Sequence, residues 1–174
     1  MRRGFLPTLA LAMIATGVAA QAKPGDEASA DMKDRNGKSV GAIRAIEAPH
    51  GILLRGELVD VPPGPHGFHI HAVGKCEAPF TSAGGHFNPT GKKHGFEAVD
   101  GAHAGDLPNL HVGADGKVVV DTLVAGVTFA SDSNGLFDAD GSSIVIHAKA
   151  DDYKTDPAGD SGDRIACGVV QKRG

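Results

Sequence analysis

Apolar and polar positions along the chain alternate over short runs, and amphipathic-helix spacing is scarce. The runs are rich in Val and Ile and are punctuated by Gly, Pro, Asn and Asp, which predicts many strands joined by turns. A first strand is expected near Ala28 to Lys33, followed by a two-residue hairpin turn at Asn36-Gly37. Val40, Ala42, Ile43 and Ile46 form the next strand-like run, and Leu53, Leu54, Leu58 and Val61 continue the pattern. Pro62-Pro63-Gly64-Pro65 breaks it, and a strand then reads His66 to His71. Later strands are expected at Leu110 to Val112, Val118 to Val124, Ser143 to Ala148 and Ile165 to Gln171, with a turn at Asp115-Gly116. About eight strands in one domain predict an all-β fold, a β-sandwich or flattened barrel.

Two stretches have no period. Ala72 to Pro108 is long, rich in Gly, Pro and Asn, and holds His86, His94 and His103; Lys149 to Asp163 is a polar loop before the last strand. A long irregular segment inside a compact domain is either functional or disordered, and its histidines favour a loop ordered by metal. In the strand before it, period two places His69 and His71 on one face and Phe68 and Ile70 on the other.

Composition adds a compartment and removes some function classes. Arg2 and Arg3, an apolar stretch from Phe5 to Val18 and the small-residue site Ala20-Gln21-Ala22 read as an export signal cleaved after Ala22. The apolar stretch is short for a bilayer span, so no membrane association is expected after cleavage. The remaining 152 residues, 23–174, make one domain in the periplasm. The whole chain has a formal charge of -4; without the two arginines it has 15 basic and 21 acidic residues, about -6. No basic surface for nucleic acid is indicated. Cys76 and Cys167 are the only cysteines, and in an exported chain they either pair or remain as two buried thiols.

His69-Ile70-His71 can aim two imidazoles at one ion, a weak signal by itself. His86, His94, His103, Asp106 and His147 strengthen it, since imidazole suits copper and zinc and a carboxylate oxygen is normal for zinc. The strings Gly67-Phe68-His69-Ile70-His71-Ala72, Gly84-Gly85-His86-Phe87-Asn88-Pro89, His94-Gly95, His103-Ala104-Gly105-Asp106-Leu107 and Arg164-Ile165-Ala166-Cys167-Gly168-Val169 resemble the metal-site signatures of the copper/zinc superoxide dismutase family. They recur in the family's order over nearly all of the mature chain.

That resemblance implies an eight-stranded Greek-key sandwich with one copper and one zinc per subunit. It implies copper ligands His69, His71, His86 and His147, and zinc ligands His86, His94, His103 and Asp106, so that His86 bridges. It further implies a Cys76–Cys167 disulfide, a role for Asp151 in linking the outer nitrogens of His69 and His94, and Arg164 beside the copper channel. The implied activity is dismutation of superoxide to dioxygen and hydrogen peroxide in antioxidant defence, with Arg164 guiding the anion and His86 delivering a proton. Lys149 and Lys154 are further candidates for guiding it. His66 is expected to be a structural hydrogen-bonding residue, with His50 and His111 solvated. Family members include monomers and dimers, so the sequence leaves a homodimer open. A metal buffer would need the ligands without Arg164, and an adhesion-type sandwich would leave His86, His94, His103 and Asp106 unexplained.

Overall fold

The computed structural model describes residues 22–173. The export signal expected over residues 1–22 therefore lies, apart from Ala22, outside the described residues. Nine strands run in chain order: β1 Glu27–Asp34, β2 Ser39–Ala48, β3 Gly51–Leu58, β4 Gly64–His66, β5 Phe68–His71, β6 Leu110–Val112, β7 Val118–Ala125, β8 Ser143–His147 and β9 Arg164–Lys172. Seven form one curled antiparallel sheet in the order β5-β8-β9-β1-β2-β3-β7, and β4 pairs with β6. The β3–β7 and β5–β8 pairings join strands far apart in sequence, as Greek-key crossovers do. The only helical element among the described residues is a 3-10 turn, Thr81–Ala83, and none of their helices is long and apolar enough to cross a membrane.

Alternation puts one face of each strand into the core: Ala28, Ala30 and Met32 of β1, Ile52 and Leu54 of β3, Val118, Val120 and Val124 of β7. In β2, however, the core residues are Val40, Ile43 and Ala45, with Ala42 exposed and Ile46 half-buried. Met32 and Lys33 of β1 pair with Gly41 and Ser39, so Val40 is the extra residue of a bulge in β2, and both Val40 and Ile43 can face inward. Gly41 has φ 129° and no room for a Cβ beside Glu57 O, so glycine is required there.

The single strand expected from His66 to His71 is two strands split at Gly67. There the backbone leaves the sheet partners: Gly67 N–H donates to Lys149 O, and His147 N–H donates to Gly67 O. The change of partner lets β4 close against β6 while β5 joins β8. On β5 and β8 the faces divide as expected, with Phe68, Ile70, Ile144 and Ile146 in the main core. The opposite face of this strand pair carries His69, His71, Val145 and Ser143, and is covered by the long loop. Phe80 and Ala83 pack on Val145 and Cys167, and a Cys76–Cys167 disulfide fastens that part of the loop to β9. The bridge spans 91 positions, a constraint on the unfolded chain of about 4–5 kcal/mol in the chain-entropy model.

Candidate metal centre

The loop returns to β5 as backbone as well as side chain. Ala72 N–H donates to Gly85 O, Phe87 N–H to Ile70 O, and Ile70 N–H to Gly105 O. These bonds lay His86 and Asp106 against the histidine face of β5, where His71 bridges to His86 and His69 to Asp106. His147 follows the alternation of Ser143 and Val145 onto the same face, while Ile165, the extra residue of a bulge in β9 opposite Ile146 and His147, leaves Arg164 paired with His147. Two groups of ligating atoms result, His69, His71, His86 and His147, and His86, His94, His103 and Asp106, each within 4.8 Å of one another. All seven side chains are buried and His86 belongs to both groups.

The outer nitrogens define what the inner ones offer. His71 Nδ1–H donates to Gly84 O at 3.0 Å and His147 Nδ1–H to Gly162 O at 3.2 Å, leaving two Nε2 lone pairs 3.4 Å apart. His69 Nε2–H donates to Asp151 Oδ2 at 2.8 Å, leaving Nδ1 with its lone pair. His69 Nδ1 and His86 Nε2 are buried with no hydrogen-bond partner. An orphaned buried polar atom costs about 1–3 kcal/mol. Four ring nitrogens with lone pairs to share, two of them orphaned, fit a cation bound by imidazole.

Around Asp106 the accounting is different. Its Oδ1 lies 2.8 Å from His86 Nδ1, 3.1 Å from His94 Nδ1 and 3.2 Å from His103 Nδ1, while its Oδ2 accepts N–H bonds from Gly95 and His103. His94 Nε2 also faces Asp151 Oδ1 at 2.9 Å, so a neutral His94 cannot donate to both carboxylates. Either a proton or a metal ion must sit between His94 Nδ1 and Asp106. Three imidazoles and one carboxylate are a normal donor set for zinc.

Charges follow these surroundings. Burial lowers the pKa of His71 to about 2, of His86 to about 4 and of His147 to about 3, and it lowers that of His69 as well, so these rings stay neutral and keep their lone pairs. Burial also opposes charging of His94, but Asp106 and Asp151 outweigh it and raise its pKa to about 9. Burial acts upward on both carboxyls too. Bonds from His103, His86 and His94 hold Asp106 well below the ordinary carboxylate range, and bonds from His69 and His94 do the same for Asp151.

Of the two adjacent aspartates, Asp151 is the buried one that links His69 and His94; Asp152 is exposed and accepts backbone N–H bonds from Lys154 and Thr155. Three supporting residues carry no local signal in the sequence. Asn109 holds the Asp151 backbone from both sides, donating to Asp151 O and accepting from Asp151 N–H. Asp156 accepts the N–H of His94 at 2.8 Å. Gly159, at φ 64°, leaves the space in which Asp151 Oδ1 meets His94; any Cβ there would overlap that carboxylate.

Arg164, half-buried at the start of β9, donates from Nη1 to Phe80 O and from Nη2 to Gly84 O, each at 2.6 Å. Gly84 O is also the acceptor for His71, which places the guanidinium beside the all-histidine group. Lys154 pairs with Glu97 at 2.7 Å, which offsets its charge; Lys149 is exposed and has no ion pair among the described residues. His66 is buried between His147 O and Pro62 O, and His50 and His111 are exposed.

Two metal-binding groups sharing one imidazole, laid on the outside of a flattened β-barrel with a tethered arginine alongside, define a two-metal protein with histidine and carboxylate ligands. The family model for copper/zinc superoxide dismutase matches residues 39–170. A superoxide dismutase [Cu-Zn] of Aquifex aeolicus is 46% identical over 145 residues, covering 82% of this chain and 86% of the relative. One of Caulobacter vibrioides is 44% identical over 148 residues, covering 83% and 85%. The crystal structure of a SOD-like protein from Bacillus subtilis superposes with a TM-score of 0.78 at 43% identity, covering 81% of this chain and 96% of that one. The chain belongs to the copper/zinc superoxide dismutase family. It is an oxidoreductase that dismutates superoxide, with copper and zinc as its metals.

Proposed function

We propose that the two metals divide between the two groups as follows. Copper would be held by His69, His71, His86 and His147, whose inward ring nitrogens carry free lone pairs, and zinc would be held by His86, His94, His103 and Asp106. The observation that carries this reading is the pair of orphaned nitrogens, His69 Nδ1 and His86 Nε2, in the group that has no carboxylate. When bound, copper supplies one-electron acceptance from one superoxide and donation to a second, while zinc, which has no redox chemistry, supplies charge and order.

The chain supplies the rest. Arg164 attracts the anion and holds it with planar donors, its position set by two carbonyls of the disulfide-bound loop. Asp151 fixes the tautomers of His69 and His94 together, so that both present Nδ1 inward. His86 Nε2 has no hydrogen-bond partner within the protein, so whenever it is not bound to metal it is where a proton can be held and passed on toward peroxide. Arg164 also favours the enzyme over a metal buffer, because holding metal needs no such cation.

The chain is proposed to be exported to the periplasm, with residues 1–22 as signal and 23–174 as the working domain. Arg2, Arg3 and the apolar stretch support this, as does a disulfide, which persists in oxidising compartments. Assembly into a homodimer is a further proposal, read by sedimentation at several protein concentrations. The bridge itself is tested by His86→Ala. The variant should still bind each metal separately, with a shifted copper spectrum and weakened zinc retention. An unchanged copper spectrum would count against a shared histidine.

A further inference from the structure

Arg35 lies in the turn between β1 and β2, and its side chain reaches across to the start of β9. Its Nε donates to Arg164 O at 2.6 Å, and its Nη2 lies 3.2 Å from Asp163 Oδ2. We propose that Arg35 is a positioning residue for the substrate field: it cancels the Asp163 carboxylate that stands next to Arg164, and the bond to Arg164 O holds it there. The inference rests on the reading of Arg164 as the group that attracts superoxide.

Asp163 is 76% exposed and adjoins Arg164 in the chain. A bare carboxylate so close lies within the screening length of about 8–10 Å at moderate salt, and would subtract from the positive potential at the site. Arg164 makes no ion pair with it, since both of its terminal nitrogens are turned to Phe80 O and Gly84 O, so the carboxylate subtracts from the field that Arg164 presents. Arg35 comes from a turn that is itself fixed, with Asp34 Oδ1 accepting N–H bonds from Asn36 at 2.8 Å and Lys38 at 2.9 Å. Thus a continuous line of contacts runs from the hairpin through Arg164 to Gly84 O and His71. An ion pair this exposed adds little to fold stability, so removing it should change the field without unfolding the chain.

Azide, a small monoanion, is the probe. Its dissociation constant is read from the visible spectrum of the copper- and zinc-loaded protein at low and high ionic strength, for wild type, R35Q, D163N, R35Q/D163N and R164Q. R35Q should weaken azide binding about two- to threefold at low salt, the size of one charge acting through solvent, and the difference should shrink as salt rises. D163N in the R35Q background should restore the wild-type constant, with metal content unchanged throughout. Wild-type affinity in R35Q, or a loss that D163N does not restore, overturns the proposal. R164Q separates the two levels: if it too binds azide like wild type, the reading of Arg164 fails; if it weakens binding while R35Q does not, only the role of Arg35 fails.

Discussion

Burial disfavours charge on His71, His147 and His94 alike, but His94 meets a carboxylate at each ring nitrogen, which raises its basicity, whereas His71 and His147 meet only carbonyls at Nδ1, too weak to offset burial. The metal-free protein should therefore be most stable near pH 6.5. His71, His86 and His147 have folded values of about 2, 4 and 3, below the ordinary 6.5, so below that pH the unfolded chain binds more protons and stability falls with acid. The depressed carboxyls of Asp106 and Asp151 add to this fall at lower pH. His94 works the other way: its folded value of about 9 gives stability that is full below 6.5 and is lost as pH rises through 9. In the proposed assignment zinc takes the place of the His94 proton, so loading with zinc should remove the alkaline fall. Thermal midpoints of metal-free and zinc-loaded protein across pH 4 to 10 check this. A metal-free midpoint that keeps rising from pH 6.5 to 9 would contradict the charge assignment.

At the scale of elements, the long loop has little regular structure of its own and is held by what it touches: backbone bonds to β5, a disulfide to β9 and the Phe80–Ala83 packing. Reducing Cys76–Cys167 should lower the thermal midpoint, remove much of the about 4–5 kcal/mol constraint, and speed amide exchange in residues 76–84 more than in β1 to β3. Equal exchange in both regions would mean that the bridge does not organise the loop. Most strands were legible in the sequence because β1, β3 and β7 keep period two against a single core. The bulge at Val40 and the break at Gly67 were not, since each answers to a partner strand or loop rather than to its own neighbours in the chain. The same holds within the site. His69 and His71 announce themselves by spacing, and the other proposed ligands by resemblance to the family. Asn109 and Gly159 serve Asp151 across the fold, and nothing next to them in the chain marks that role.

For the molecule as a whole, an anionic substrate approaches a chain with a formal charge of -4, about -6 in the proposed exported form, so bulk charge opposes encounter and a local cation must overcome it. R164E should lower the dismutation rate far more than R164K, with copper and zinc content unchanged. Because salt screens attraction, the wild-type rate should fall as ionic strength rises, and R164E should show the reverse slope or none. Equal rates and equal salt dependence in all three proteins would make Arg164 a structural residue only.

One copper, proposed to be held by His69, His71, His86 and His147, carries the redox chemistry, and zinc alone does not. Superoxide decay, followed spectrophotometrically while copper is titrated into zinc-loaded protein, tests it most directly. No catalysis is expected before copper is added, then a linear rise in rate and a sharp break at one copper per chain. A rate independent of copper, or one that keeps rising well beyond one equivalent, would contradict it.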